Sequence, residues 1–317
     1  MKTIQFIKNW ALIIAIIVGI LSYFIYVNVP LFDPTRPYAM TVVRWVQPML
    51  IFTMLFLTFC KIDARSLRLR RWHLWLLLLQ CGLFTTIGVV LIMLPHSGLR
   101  VVLEGAMICL ICPTATAGAV ITRRLGGDVN NITTYTILIN LAAALLIPSL
   151  VPLVHPNPSM GVVTSALLIL GKVFPLLLLP LITALLAKKY LPSLTENLAR
   201  YQDLSFYLWA IALALALTVT TRSIVHTEVS ASTLLWLVVI SLICCVMQFY
   251  IGRRIGARYG DTVTAGQSLG QKNTVLAIWV GYTFFTPVTA VAGGFYSIWH
   301  NVINSYQLYK HRHNVNS

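Results

Sequence analysis

Hydrophobic residues in this chain come in long unbroken runs, rich in Leu, Ile and Ala and separated by short polar segments. A bilayer core about 30 Å thick needs about 20 apolar residues in a helix. Continuous runs of that length exclude the alternating strands of a lipid-facing barrel. The pattern therefore predicts an all-α integral membrane protein of about ten transmembrane helices, over residues 9–29, 41–60, 73–94, 99–122, 131–154, 160–186, 204–221, 232–251, 262–285 and 288–308. Spans and short loops take up nearly the whole chain, so one membrane domain over 1–317 is expected. Lys2 and Lys8 ahead of the first run imitate a secretion signal. The run is too long for one and lacks a small-x-small cleavage site, so it is expected to be the first span.

Ten spans divide into two sets of five, about 1–155 and 156–317. Because five is odd, the second set enters the membrane from the opposite side, the inverted-repeat plan of many transporters. Span 4 is interrupted around Cys112-Pro113-Thr114-Ala115-Thr116-Ala117-Gly118, and its repeat mate, span 9, around Gln267-Ser268-Leu269-Gly270-Gln271-Lys272-Asn273. Span 3 carries Gln80 and its mate, span 8, carries Gln248. Helix breaks within hydrocarbon are tolerated only where protein buries them or a wet cavity receives them. Helices 4 and 9 are accordingly expected to be broken and to cross at the membrane midplane.

Composition agrees with lipid as the solvent: 58% of residues are hydrophobic and 10% charged, too few to cover a water-soluble globule of this size. The net charge of +15 would read as nucleic-acid binding in a soluble protein, but the basic residues occupy short loops, and no nucleic-acid partner is expected. With a cytoplasmic N-terminus, seventeen fall inside: Lys2, Lys8, Lys61, Arg65, Arg68, Arg70, Arg71, Arg123, Arg124, Lys188, Lys189, Arg200, Arg253, Arg254, Arg258, Lys310 and Arg312. Outside are Arg36, Arg100 and Arg222, with Arg44 at the edge of span 2. This bias predicts both termini in the cytoplasm of a bacterium, with the chain in its cytoplasmic membrane. The pattern carries no signal for an oligomeric state.

The two breaks supply the candidate chemistry. Each second half-helix would point an N-terminus, with about half a positive charge, at the midplane. The candidate binding residues in the breaks are Thr114, Thr116, Ser268, Gln271, Lys272 and Asn273. The ionisable residues inside spans are Lys272, Lys172 and Glu104. A charge at mid-helix costs roughly 2.5–3.5 kcal/mol even on the lenient insertion scale. Each therefore needs a function or a partner, and a Lys272–Glu104 pair is the structural alternative. The partner expected for such a site is a small organic anion, a carboxylate or sulfonate, in a lipid bilayer. Six cysteines lie in or beside apolar runs and are expected to pack, Cys109-x-x-Cys112 included. Of the histidines only His300 is intramembrane; no metal-ligand cluster, nucleophile elbow or phosphate loop is visible. No metal or organic cofactor and no enzymatic activity are expected.

The stretch Gly270-Gln271-Lys272-Asn273-Thr274-Val275-Leu276-Ala277, followed by Phe295-Tyr296-Ser297-Ile298-Trp299-His300-Asn301, resembles the ninth and tenth helices of the bile acid:sodium symporters. Pro113 through Gly127-Asp128-Val129, then Thr136 and Pro148, resemble the fourth and fifth. The resemblance implies a panel of six helices rocking against a core of four, with two sodium ions beside the crossing. It also marks Gln80, Thr136 and Asn273 as matching site positions. The family's ninth-helix pattern is Glu-x-Gly-x-Gln-Asn; here Ser268 stands at the Glu position and Lys272 at the Gln position. The fourth-helix Ser-Asn pair reads Gly118-Ala119, and one fifth-helix hydroxyl position is Ile132. Two sites built of hard oxygen ligands do not survive such losses. The expected function is secondary transport of a small organic anion with Lys272 replacing a sodium ion, sodium-independent or proton-coupled. The alternatives are a sodium-coupled symporter of the same family, an auxin-efflux-like carrier (which the Gly-x-Lys-Asn and Trp-His-Asn stretches disfavour), and an intramembrane enzyme or sensor subunit.

Overall fold

The structure is a computed structural model that describes residues 2–62, 66–201, 204–227 and 229–316, with side chains described for all of these except 2–12, 206 and 314–316. Arg65 and the side chains of Lys2 and Lys8, used above to orient the chain, lie outside the described residues. The helices are α1 (Lys2–Asn28), α2 (Arg36–Cys60), α3 (Arg71–Met93), α4 (Arg100–Ile111), α5 (Gly118–Arg124), α6 (Val129–Val154), α7 (Val162–Tyr190), α8 (Pro192–Arg200), α9 (Leu204–Val225), α10 (Ala231–Ala257), α11 (Thr262–Gly270), α12 (Thr274–Phe284) and α13 (Ala290–Asn316). A 3-10 turn, Pro30–Thr35, leads into α2. Among the described residues no strand forms, and an isolated antiparallel bridge joins Thr114 to Lys272.

Among the described residues six helices are long and apolar enough to cross a membrane: Pro30–Cys60 with its leading turn, Arg71–Met93, Val129–Val154, Val162–Tyr190, Tyr207–Val225 and Ala231–Ala257. Their outward faces are apolar; Leu78, Leu145, Leu167 and Trp236 are all exposed, as lipid and not water would allow. α8 is a helix where a loop was expected. Glu196, Asn197 and Arg200 make it too polar to register as an apolar run, while Pro192 presets φ at its first position. α13 continues to Asn316, past the expected end at 308.

Local chemistry sets the helix starts that matter below. Gly126, at φ 77°, makes the turn out of α5, a conformation that favours glycine. Asp128 then caps α6, its Oδ1 accepting from Asn130 N at 2.7 Å and Asn131 N at 3.1 Å.

The helices pack as two groups. α1, α2, α7 and α9 associate with one another, the short α8 lies against α2 and α7, and the remaining helices gather around the interruptions between α4 and α5 and between α11 and α12. The division is thus four flanking helices and a larger broken-helix group, the reverse of the six-and-four split implied by the resemblance. Small residues let backbones approach within each group. A Cβ on Gly19 would lie 2.7 Å from the Ala214 carbonyl, and one on Gly256 would lie 2.5 Å from the Asp261 carbonyl. Between the groups, Ile51, Met54 and Leu55 of α2 and Val173 and Leu177 of α7 pack with Ala143 and Ile147 of α6 and Val275, Leu276 and Val280 of α12.

Candidate functional site

The interruption after α4 begins with a missing donor. Proline at 113 has no N–H to return to the Cys109 carbonyl, and it pushes Cys112 into extended backbone, φ −54° and ψ 132°. Side chains take over. Gln248 Nε2 donates to Cys109 O at 3.2 Å, and Gln80 Nε2 donates to the carbonyls of Ile111 and Cys112 at 3.2 and 3.1 Å. Tyr135 fixes the Gln80 amide by donating its hydroxyl to Oε1 at 2.8 Å.

The interruption after α11 has no proline. α11 stops at Gly270, where a Cβ would lie 2.3 Å from the Phe249 ring, so glycine is required by close approach. The Gly270 carbonyl accepts from the Tyr296 hydroxyl at 2.7 Å, and that hydroxyl accepts from Gln248 Nε2 at 3.1 Å. Asn273 starts α12, its Oδ1 accepting from Leu276 N at 3.2 Å. The break occupies 271–273, and the polar residues Gln267 and Ser268, expected to belong to it, remain helical.

The two breaks then satisfy each other. Ala115 N donates to Gln271 O at 3.0 Å and Asn273 N to Pro113 O at 2.8 Å. Thr114 Oγ1 donates to Ser268 O at 2.7 Å. Released backbone inside a membrane protein must find such partners. Lys272 sits at the centre of this pairing, 1% exposed, with no hydrogen-bond partner for Nζ. Ser268 Oγ and Gln271 Oε1 are likewise buried and unpartnered. The thiols of Cys81, Cys109, Cys112 and Cys244 lie within electrostatic reach of Lys272.

Not all candidates come together. Glu104 is buried, but Arg100 Nε lies 3.2 Å and His155 Nδ1 3.3 Å from its Oε1, and Thr289 Oγ1 donates to its Oε2 at 3.2 Å. The Lys272–Glu104 pair is not formed, because Arg100, one turn back on α4, already supplies the counter-charge two turns away from the break. Lys172 is exposed, its ammonium 5.9 Å from the centre of the Phe284 ring, and is not brought to the crossing. Thr136 is buried and bonds back to Ile132 O at 2.9 Å; Thr116 is partly exposed within the break. Among the described residues no carboxylate pairs with Lys272, and no three His, Cys, Asp or Glu side chains are placed to hold a metal.

Two helices interrupted opposite each other, with Gln80 and Gln248 donating to carbonyls at the first break and the two breaks joined to each other, agree with the family resemblance noted above. The model of the SBF-like CPA transporter family matches residues 9–298. The chain belongs to the SBF-like CPA transporter family. No curated protein matches it. Membership makes the chain a multi-pass membrane transporter related to the bile acid:sodium symporters, with a small-molecule substrate.

Sequence reasoning missed four residues of this SBF-like transporter's crossing. Tyr135 and Tyr296 hold the break carbonyls directly or through a glutamine; hydroxyls inside the apolar runs 131–154 and 288–308 were the available signal. Gln47 of α2 donates to Val275 O at 3.2 Å and accepts from the Tyr282 hydroxyl at 3.0 Å, linking the two helix groups at the first turn of α12. An intramembrane glutamine at 47 was the clue.

Proposed function

We propose that this transporter carries a small organic anion, a carboxylate or sulfonate, across a bacterial cytoplasmic membrane by a sodium-independent or proton-coupled mechanism in which Lys272 takes the place of a bound sodium ion. In this reading the chain has ten spans in two inverted repeats, with both termini in the cytoplasm and the crossing at the midplane. The observation that carries the reading is Lys272 itself: a buried amine at the junction of the breaks, unpaired with any carboxylate among the described residues, with Nζ free of hydrogen bonds. An ammonium brings its own charge and three donors to a place lined by carbonyls and amides, and the N-terminus of α12 adds to the positive field there. A small anion balances both. Alternating exposure to water also lets an amine release and regain a proton.

A sodium-coupled symporter is the second reading, supported by the unpartnered buried oxygens Ser268 Oγ and Gln271 Oε1. Uptake of labelled organic acids into proteoliposomes, with sodium and pH varied independently, separates the two. Saturable uptake of an anion that ignores sodium supports the first reading. Cooperative sodium dependence without a pH response supports the second, and transport of cations or zwitterions alone contradicts both.

A further inference from the structure

α13 carries a polar stripe along one face. Ser297, His300, Asn304 and Gln307 recur at three- and four-residue intervals, the spacing that aligns side chains on a helix, and the first three are buried. α11 meets the stripe with Gln267, whose Nε2 donates to Asn304 Oδ1 at 3.2 Å and Gln307 Oε1 at 2.9 Å. Polar stripes between membrane helices ordinarily act as interhelical glue, each group satisfying another. Here Ser297 Oγ, His300 Nδ1, Asn304 Nδ2, Gln267 Oε1 and the adjoining Ser268 Oγ are all buried without a partner. Gln267 joins α11 to α13 at the level of Asn304 and Gln307, and unmet buried groups recurring from there along α13 to Ser297 call for water.

The stripe has two distinct ends. At the basic end of the molecule Gln307 lines a cavity of about 490 Å³ together with Arg253, Tyr306, Lys310 and His311. At the other end the His300 ring stands edge-on to Tyr296, centroids 5.8 Å apart. The Tyr296 hydroxyl reaches Gly270 O and Gln248, two residues from Lys272; Gln248 Oε1 is itself buried and unpartnered.

We infer that the α11–α13 stripe is a hydrated proton path from the basic-end cavity to Lys272, separate from the contact surface between the two helix groups. It rests on the reading of Lys272 as an amine that exchanges a proton. The proton leaves Nζ for water in the file, is taken up on one ring nitrogen of His300 while the other gives one up, and passes to bulk water at the cavity. Among the described residues, Cys244 and Cys245 of α10 and Cys109 of α4 cluster with Tyr296; Arg253, Lys310 and His311 line the mouth; Lys272 precedes α12; and Glu104 of α4, held by Arg100 and His155, accepts from Thr289 just before α13, beyond the Ser297 end of the stripe. α9 meets α13 near Gly294, with Arg222 beyond that contact and away from the stripe.

The test begins on the unaltered protein in nanodiscs. Radiolytic hydroxyl-radical labelling marks side chains beside internal water, and His300 and Tyr296 are expected to react within roughly tenfold of exposed Tyr306, far faster than buried Phe84 and Met107. His300 and Tyr296 as inert as Phe84 and Met107 would overturn the inference. In proteoliposomes, Asn304→Leu is expected to cut the proton movement that accompanies anion uptake about tenfold with anion affinity unchanged in detergent, and Asn304→Ser to retain it. An equal loss of affinity and proton movement in Asn304→Leu makes the stripe structural and refutes the path. Anion uptake by the unaltered protein without proton movement also refutes it, while leaving the anion reading intact. Labelled His300 and Tyr296 with no uptake of any organic anion would instead count against the anion reading and support the hydrated file.

Discussion

Replacing Lys272 by methionine separates a functional amine from a structural one by the sign of a stability change. The side chain is 1% exposed, Nζ has no hydrogen-bond partner, and Glu104 is held elsewhere by Arg100, His155 and Thr289. Methionine keeps similar length and volume, so packing against the surrounding helices changes little. What is removed is an unpaired amine at a site where a lysine costs roughly 2.5–3.5 kcal/mol. Local water recovers part of that cost in the native protein, so a gain on the order of 2 kcal/mol is expected. At about 2 °C per kcal/mol for a chain of this size, the unfolding midpoint should rise by about 4 °C, while anion uptake is lost. A buried ion pair predicts the opposite, a loss of about 3–5 kcal/mol on removal of one partner. Thermal unfolding followed by tryptophan fluorescence, beside proteoliposome uptake, reads both quantities. A destabilised Lys272→Met protein that still takes up anion would refute the reasoning.

Lys272→Gln combined with Ser268→Glu restores oxygen ligands where the family pattern places them and should create sodium-dependent uptake; sodium-blind uptake by the double variant would count against Lys272 as a substitute for the ion. Cysteines placed at His155 and His226 should label from outside and those in the Lys61 to Arg71 loop from the cytoplasm, and the reverse pattern would sink the inverted-repeat assignment with it. Gly270→Ala puts a Cβ 2.3 Å from the Phe249 ring and should destabilise by about 1–3 kcal/mol, a loss that Phe249→Leu in the same chain should partly recover. Gln80→Leu orphans the carbonyls of Ile111 and Cys112 and the Tyr135 hydroxyl, whereas Gln248→Leu orphans one carbonyl and leaves Tyr296 on Gly270; at about 1–3 kcal/mol per buried unmet group, unfolding temperatures should show the first as clearly more costly.

The parts of the fold legible from sequence were those written in consecutive residues. Pro113 marks its own break, because a missing donor and a clash act within one turn. The helix interior runs were equally plain, since lipid demands continuous apolar length. α8 escaped because it is too polar for a hydropathy reading, although Pro192 marks its start. The break after α11 was placed several residues early for a different reason. Polar side chains at 267 and 268 drew attention, but α11 continues to Gly270, a glycine that the ring of Phe249, on another helix, requires. The grouping of α1, α2, α7 and α9 is also a property of long-range packing, and no local pattern distinguishes flanking from broken-helix membership.

Whether a buried charge has a partner depends on geometry, yet one half of the answer was present in the sequence. Arg100 and Glu104 stand four apart on one helix, the spacing at which opposite charges meet, so Glu104 had a counter-ion before any tertiary contact was considered. Lys272 had none at that spacing: Ser268 lies four residues before it and Leu276 four after. A lysine with no local acid, placed where the backbone leaves the helix, must be satisfied by distant parts of the chain or by something the chain binds. The structure directs the distant amides of Gln80 and Gln248 to carbonyls around the breaks instead, and these donors have nothing to offer an ammonium. The acceptors left over, Gln271 Oε1 and Gln248 Oε1, are neutral. On the reading proposed above, an anion carried to the crossing supplies the counter-charge that no described residue gives Lys272, and a buried amine that instead sheds its proton needs none; uptake measured beside the Lys272→Met stability change separates the two.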